Sequence, residues 1–228
     1  MFKNFLKVAL RNLLKRKGYT FINVFGLATG MAICLLIVLF INDELSFDKH
    51  QEKGDRIYRM VVKRQYPGRT TSYAIIPQSY AKAVKQELPE VEEAVRVFDF
   101  TGNSVFQLKY GEKAFEEKRV LGVDSNFFRI FSVTMLAGNK ENALANANSV
   151  VLNETTAKKY FGSADQAVGK LLQPEGNNRE PLKVTGVVAD WPENSHLLFD
   201  LLVSTAGQPF AQSENYIGFA AWTCLLLN

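Results

Sequence analysis

The longest uncharged stretch of the chain, which is mostly apolar, runs from residue 18 to residue 42. It has 25 residues and no charged side chain, with three bases at 15–17 directly before it and two acids at 43–44 directly after it. As a helix with a rise of about 1.5 Å per residue it would be about 38 Å long, which is enough to cross about 30 Å of hydrocarbon. The pattern predicts a transmembrane helix over residues 19–42.

The residues before this stretch follow a helical period. Apolar residues recur at three- and four-residue steps, and Lys3, Lys7, Arg11 and Lys15 form a stripe at four-residue steps. This pattern is typical of a helix that lies in the headgroup layer with its bases toward anionic lipid. We predict an amphipathic interfacial helix over residues 1–18, with these four bases as its membrane-surface stripe.

After the span, short strand-like runs alternate with short helix-like runs. The order lacks the long, regular crossovers of a doubly wound sheet, so we predict an α+β domain with mixed or antiparallel sheets. Asp124 and Asn153 are predicted helix caps, and Gly162 is a predicted helix end. The predicted strands are 56–65, 70–76, 91–100, 104–110, 114–123, 133–136, 150–152, 168–172, 182–188 and 197–204, and the predicted helices are 78–88, 124–130 and 154–161.

One segment of this domain, residues 139–149, is polar and rich in Asn and Ala. Such composition between periodic segments is typical of a loop. We expect either a subdomain junction or an exposed loop there.

The net charge of +4 is an average over two different regions. The first 20 residues hold six bases and no acid, whereas the rest of the chain holds 21 bases and 23 acids. The basic region is therefore an arm beside a membrane rather than a nucleic-acid surface. Because bases flank the cytoplasmic side of a span, we expect a cytoplasmic N-terminus and an extracytoplasmic domain over residues 43–228. The apolar run is too long for a cleaved signal peptide, so it is predicted to be a retained anchor.

Two glycines inside the predicted span, Gly26 and Gly30, form a G-x-x-x-G pair. This spacing places both on one helix face and lets another helix approach closely. They are the candidate residues for transmembrane helix packing.

Little in the chain points to chemistry. It has two histidines and two cysteines, without metal-ligand spacing, a phosphate-binding loop or a nucleophile elbow. We therefore predict no catalytic, cofactor-binding or metal-binding residues, and no enzyme. His196 follows Asn194-Ser195 in a turn-rich stretch and is interpreted as a histidine that holds a loop. The aromatic group at 127–131 is interpreted as core.

Several blocks of sequence carry a family resemblance. They are FKNFLKVALRNL at 2–13, YTFINVFGL at 19–27, DELSFD at 43–48, DRIYR at 55–59, the FF-x-x-F and LAG groups within 126–138, VVLNE through VGK within 150–170, and VTGVVADWPENSH at 184–196. Together, in this order, they resemble MacB/FtsX-type ABC transporter permeases, and most closely the large permeases common in Bacteroidetes.

This resemblance implies an architecture. An N-terminal amphipathic helix and a first transmembrane helix lead into an extracytoplasmic core domain of two α+β parts, one porter-like and one inserted, with their junction expected near 139–149. Three more transmembrane helices follow in the family. Because this chain ends at Asn228 before a second span, we expect it to correspond to the N-terminal part of such a permease.

The resemblance also implies a role in the bacterial inner membrane. A separate cytoplasmic ABC ATPase would hydrolyse ATP, and the extracytoplasmic domain would move in response, for export (efflux) or mechanotransmission. The implied partners are that ATPase, a second permease in a homodimer or a pair, membrane lipid and a periplasmic adaptor. The alternative from the residues alone is a single-pass anchored binding or sensor module.

Overall fold

The computed structural model describes residues 2–102, 105–176, 180–212 and 220–228. The chain forms two compact units, Met1–Phe47 (unit 1) and Asp48–Asn228 (unit 2).

Unit 1 consists of two helices, α1 (Phe2–Lys15) and α2 (Lys17–Glu44). Both predicted helices are present, and α2 extends two residues beyond each end of the predicted span. The Thr20 hydroxyl donates a hydrogen bond to the Leu13 carbonyl at 2.9 Å, which ties the two helices together. No residue of α2 is buried. Such exposure of an apolar helix is expected where its surface contacts lipid or another helix.

Unit 2 is built on strands. They are β1 (Ile57–Arg59), β2 (Val62–Tyr66), β3 (Arg69–Tyr73), β4 (Ile76–Pro77), β5 (Val91–Asp99), β6 (Phe106–Tyr110), β7 (Lys113–Glu117), β8 (Val120–Val123), β9 (Met135–Gly138), β10 (Ser149–Asn153), β11 (Leu171–Pro174), β12 (Leu182–Val188), β13 (Leu201–Ser204) and β14 (Ala220–Leu227). In the described residues, short α-helices lie between them: α3 (Ser79–Glu87), α4 (Phe127–Ile130), α5 (Glu154–Phe161) and α6 (Ala164–Ala167). There are also 3₁₀ turns at Gly54–Arg56 and Pro209–Gln212.

Twelve of these strands form one sheet, in the order β1-β14-β5-β8-β13-β10-β12-β11-β6-β7, with β4 paired to β14 and β9 paired to β12. The pairs β10–β12 and β8–β13 are parallel and the other pairs are antiparallel. The mixed α+β class predicted from the sequence is confirmed.

The central strands of this sheet are buried on both faces. Along β10, Val151 belongs to a first apolar cluster, and Val150 and Leu152 belong to a second one. Because side chains alternate across a strand, the two clusters lie on opposite faces. Helix α4 supplies Phe127 to the first cluster, and α5 supplies Tyr160 to the second. This double burial explains why β8, β10 and β13 are continuous apolar runs rather than alternating ones.

Three predicted strands each cover parts of two observed strands. The predicted strand 70–76 covers most of β3 and the first residue of β4, which belong to different sheets. The predicted strand 56–65 is two strands, because β1 joins the large sheet while β2 pairs only with β3. The predicted strand 114–123 is β7 and β8, separated at residues 118–119. There the Arg119 backbone N–H and guanidinium bind the Asp200 carboxylate at 3.2 and 2.7 Å, and the chain turns to reach β13.

Of the two predicted helix caps, one is correct and one is wrong. Asn153 caps α5 as predicted, since its Oδ1 accepts from the Thr156 N–H at 2.8 Å, and Gly162 ends that helix with φ of 89°. Asp124 does not cap α4, whose first flanking residue is Asn126. The carboxylate of Asp124 is engaged instead by the guanidinium of Arg96.

The loop at 139–149 contributes to the core. Ala143 and Leu144 are 2% and 1% exposed, and their carbonyls accept hydrogen bonds from the hydroxyls of Thr185 at 2.5 Å and Ser204 at 2.8 Å. The loop is therefore fastened to the sheet at two points. The subdomain junction expected there, and the two-part division of unit 2, stay predictions.

Candidate functional site

Helix α2 carries the predicted membrane features. Within the described residues it is the one helix long and apolar enough to cross a bilayer. A Cβ atom added at Gly26 or at Gly30 would meet nothing within 4 Å. The two glycines share a shallow groove with Met31 and Cys34. The structure therefore places both glycines on an open face, and their packing role stays a prediction.

The predicted basic stripe lies on α1. Lys7, Arg11 and Lys15 are exposed, while the side chain of Lys3 lies outside the described part. Their contact with lipid also stays a prediction.

The first residue of unit 2 is held by a polar clamp. Asp48, four positions beyond the end of α2, accepts hydrogen bonds from the Ser195 hydroxyl at 2.7 Å, the His196 backbone N–H at 3.1 Å and His196 Nδ1 at 2.8 Å. The Asp48 N–H donates to the Asn194 carbonyl at 3.0 Å. We call Asp48, Ser195 and His196 the junction clamp. The interpretation of His196 as a histidine that holds a loop agrees with this geometry.

The residues after Asp48 extend this fastening. The buried amide of Gln51 accepts from the Ser132 N–H at 2.8 Å, and Lys53 Nζ donates to the Arg129 carbonyl at 2.7 Å. His50 packs edge-on against Trp191, with ring centroids 5.3 Å apart. The segment that follows α2 is thus held to two other parts of unit 2.

Trp191, which contacts His50, also packs against the first apolar cluster. Its ring centroid lies 5.0 Å from that of Phe199, 6.1 Å from Phe131 and 6.4 Å from Phe127. Phe127 and Phe131 are 0% and 7% exposed, and both belong to that cluster. The interpretation of the 127–131 aromatics as core is confirmed.

The clamp residues do not form a catalytic triad. A serine nucleophile needs a histidine between itself and the carboxylate, but here the Ser195 hydroxyl and the His196 ring both bind the same Asp48 carboxylate. In the described residues, no group of three or more His, Cys, Asp or Glu side chains could hold a metal ion. The arrangement is suited to holding chain segments together rather than to group transfer.

The charge state of Asp48 depends on the clamp. Burial raises the pKa of its carboxyl, but the hydrogen bonds from Ser195 and His196 outweigh burial and hold the pKa below its usual value. The carboxylate therefore stabilises the folded state fully above its unfolded pKa of about 3.9. That stabilisation is lost as the pH falls through the lower folded pKa.

Replacing Asp48 with asparagine should lower the free energy of unfolding of a soluble form of unit 2 by about 1 kcal/mol at pH 7. The side chain is partly exposed, so the loss is that of ordinary hydrogen bonds to a charged acceptor, reduced by solvent screening. Denaturant unfolding at pH 7 and pH 3 measures the effect, and the difference between wild-type and variant stabilities should be smaller at the lower pH. Asp55→Asn at an exposed neighbouring position is the control, and an equal loss there would contradict the clamp.

Unit 2 also contains a polar cavity of about 660 Å³ between α3, β5 and the segments 124–126 and 205–212. Arg96 and Asp124 form one wall as a bidentate pair, with Nε–Oδ2 and NH2–Oδ1 distances of 2.8 Å. The wall carries charges of both signs, since Lys82, Lys85 and Glu93 also line it. No sequence motif marks this cavity, because its residues come from four separate segments.

A comparison with models of protein families identifies one family. The family profile described as the MacB-like periplasmic core domain matches residues 20–220. Among solved structures, a domain of a permease protein from Porphyromonas gingivalis is similar with 25% identity and a TM-score of 0.66, over 78% of this chain and 77% of that one. The periplasmic region of MacB from Actinobacillus actinomycetemcomitans has 19% identity and a TM-score of 0.47, over 67% of this chain and 65% of that one. No curated protein matches the chain.

Proposed function

Because the chain belongs to the MacB-like periplasmic core domain family of ABC transporter permeases, we propose that unit 2 lies outside the cytoplasm of a bacterium and moves in response to a separate cytoplasmic ATPase. The family is a component of a transporter, not an enzyme in itself. The proposal covers residues 43–228 as the extracytoplasmic domain, residues 19–42 as the first transmembrane helix and residues 1–18 as the interfacial helix.

The observation that carries this proposal is the junction clamp. A signal that passes from the cytoplasm along α2 reaches unit 2 at Asp48, where four hydrogen bonds fix the chain to the turn at 194–196. A loosely tethered domain would need no such bonds at its first residue. In a clamped domain, movement of the end of α2 would move the turn at 194–196, and with it the nearby Trp191.

Nucleotide-dependent labelling of the 190–196 turn tests this coupling. A Glu193→Cys variant in a Cys34→Ala background places a thiol at an exposed position beside the clamp. The variant would be expressed in its own host, and maleimide labelling compared in spheroplasts trapped with ATP and vanadate and in spheroplasts depleted of ATP. We expect the labelling rate to differ at least twofold between the two states.

The matched control is Glu175→Cys, which lies in the exposed part of unit 2 at the far end of β11. Its rate should be the same in both states. An unchanged rate at position 193 would contradict ATP coupling and favour the anchored binding or sensor module.

We further propose that two permease chains pack through the glycine face of α2. Gly26 and Gly30 lie one turn apart, and Cys34 continues the same face one turn later. Close approach of two such faces would bring the Cys34 thiols of two copies together. The bases Lys3, Lys7, Arg11 and Lys15 would hold α1 on anionic lipid at the cytoplasmic surface.

Oxidative crosslinking of native membranes should therefore yield a Cys34-linked dimer. Gly30→Leu should reduce the dimer at least fivefold, because a branched side chain fills the groove between the helices. Ala28→Leu on the opposite face is the control and should leave the yield unchanged. Cys224 will not interfere, because burial raises the pKa of its thiol to about 11 and the thiolate is the reactive form. Equal yields for both leucine variants would remove the proposed packing face.

A further inference from the structure

The hairpin formed by β2 and β3 stands apart from the large sheet. Its two strands pair only with each other, in five registered pairs from Val62↔Tyr73 to Tyr66↔Arg69. Eight of its ten strand residues are exposed, and only Val62 and Thr71 are half-buried. A two-stranded hairpin alone is only marginally stable in water. Because these strands do not pair with the large sheet, contacts between their own side chains help to hold the shape of the hairpin.

The register divides these residues between two unlike faces. Residues directly opposite each other, and residues two apart along a strand, lie on the same face. The first face, which we call the Arg/Tyr face, carries Val62, Arg64, Tyr66, Arg69, Thr71 and Tyr73. The second face carries Lys63, Gln65, Thr70 and Ser72.

The arginines of the Arg/Tyr face are held by its tyrosines. Arg64 Cζ lies 5.6 Å from the centroid of the Tyr73 ring, and Arg69 Cζ lies 5.3 Å from the centroid of the Tyr66 ring. A guanidinium stacked on a ring keeps N–H groups along its edge for a bidentate acceptor. Both tyrosines are 38% exposed. The face therefore presents two oriented cations on an aromatic base.

No acid balances this charge nearby. The sequence from residue 56 to residue 86 has seven bases and no Asp or Glu. In the part of the chain that the structure describes, neither Arg64 nor Arg69 forms an ion pair with a carboxylate. Of the other arginines that the structure describes in unit 2, Arg56, Arg96, Arg119 and Arg129 form ion pairs, and Arg59 lies over the ring of Trp222 in the large sheet.

We propose that the Arg/Tyr face binds an acidic segment of a partner protein outside the membrane. Arginine and tyrosine are enriched where protein partners bind most strongly, and carboxylates match the oriented guanidinium edges in charge and geometry. A membrane surface is the less suitable occupant, because residues 62–73 contain no Trp, Phe, Leu or Ile to enter the acyl boundary. The inference goes beyond ATP coupling and does not depend on it.

Photocrosslinking from the two faces of the hairpin tests the proposal. The photoreactive amino acid benzoylphenylalanine is placed at Thr71 on the Arg/Tyr face or at Ser72 on the other face, in the full chain expressed in its own host. The crosslinked segment is then identified by mass spectrometry. We expect an adduct from position 71 to a protein segment rich in Asp and Glu, and little from position 72.

Two charge reversals at neighbouring positions give the matched control. Arg64→Glu should reduce the position-71 adduct at least tenfold, whereas Lys63→Glu, the same change of charge on the other face, should reduce it less than threefold. Both variants should melt at the wild-type temperature, because the hairpin is not hydrogen-bonded into the large sheet. The proposal is overturned by lipid adducts, by adducts to a second copy of this chain, by equal loss from both reversals, or by the absence of an adduct.

Discussion

Replacing Asp124 with alanine should lower the free energy of unfolding of a soluble form of unit 2 by about 3 kcal/mol. The Asp124 carboxylate accepts from the backbone N–H of Arg96 at 2.9 Å, from its guanidinium at two 2.8 Å contacts, and from the Thr205 hydroxyl at 2.9 Å. Both charged side chains are less than one-fifth exposed. Removing one partner leaves a charge that water reaches poorly, which is the costly way to break an ion pair.

Denaturant unfolding of this variant should be compared with that of Glu175→Ala. Glu175 also pairs with a base, since its carboxylate lies 2.8 Å from Lys109 Nζ, but both side chains are 46% exposed. The exposed pair should contribute less than about 1 kcal/mol. Similar losses from the two variants would mean that Asp124 does not stabilise β5 against the segment at 205.

Replacing Gly138 with alanine should cost at least about 3 kcal/mol of unfolding free energy. Gly138 ends β9 with φ of 93°, a backbone conformation that strains residues with a side chain. A Cβ atom there would lie 2.4 Å from the Thr185 carbonyl oxygen and 2.8 Å from Gly186 Cα. Both contacts are with backbone in the middle of the sheet, so neither can be relieved by moving a side chain.

Gly68→Ala isolates the conformational part of this cost. Gly68 also has a positive φ, 78°, but a Cβ atom there meets nothing within 4 Å. It should cost only about 1 kcal/mol. If the two alanine variants unfold at the same denaturant concentration, the close approach of β9 to β12 at Gly138 is wrong.

The elements that the sequence predicted well are those whose cause is local. Helix α2 follows from an unbroken apolar run between charges, and α5 from a cap at Asn153 and a glycine at 162. Strands β10, β12 and β13 follow from short apolar runs rich in branched residues. In each case the residues that decide the structure lie within a few positions of one another.

The elements that it missed depend on distant partners. Strand β14 reads as a short apolar run at the end of the chain, and only its pairing with β5, more than a hundred residues earlier, makes it a strand. Asp124 has the sequence context of a helix cap. Its carboxylate binds Arg96 instead, because charge-assisted hydrogen bonds to a guanidinium are stronger than a bond to a helix N–H.

The junction clamp combines a residue that local sequence predicts with a partner that it does not. The turn-rich context of His196 was enough to predict a histidine that holds a loop. Its acceptor, Asp48, lies 148 positions earlier, and nothing in the local sequence marks it. The packing of Trp191 against Phe127, Phe131 and Phe199 is likewise visible only in the folded structure.

Cysteine accessibility in spheroplasts measures on which side of the inner membrane unit 2 lies. In a Cys34→Ala, Cys224→Ala background, single cysteines at Gln65 in the hairpin and at Lys15 at the end of α1 would be treated with a maleimide that cannot cross the inner membrane. An extracytoplasmic unit 2 predicts that position 65 is labelled in intact spheroplasts and that position 15 is labelled only after the membrane is permeabilised. Labelling of position 15 in intact spheroplasts, with position 65 protected until permeabilisation, would contradict an extracytoplasmic unit 2.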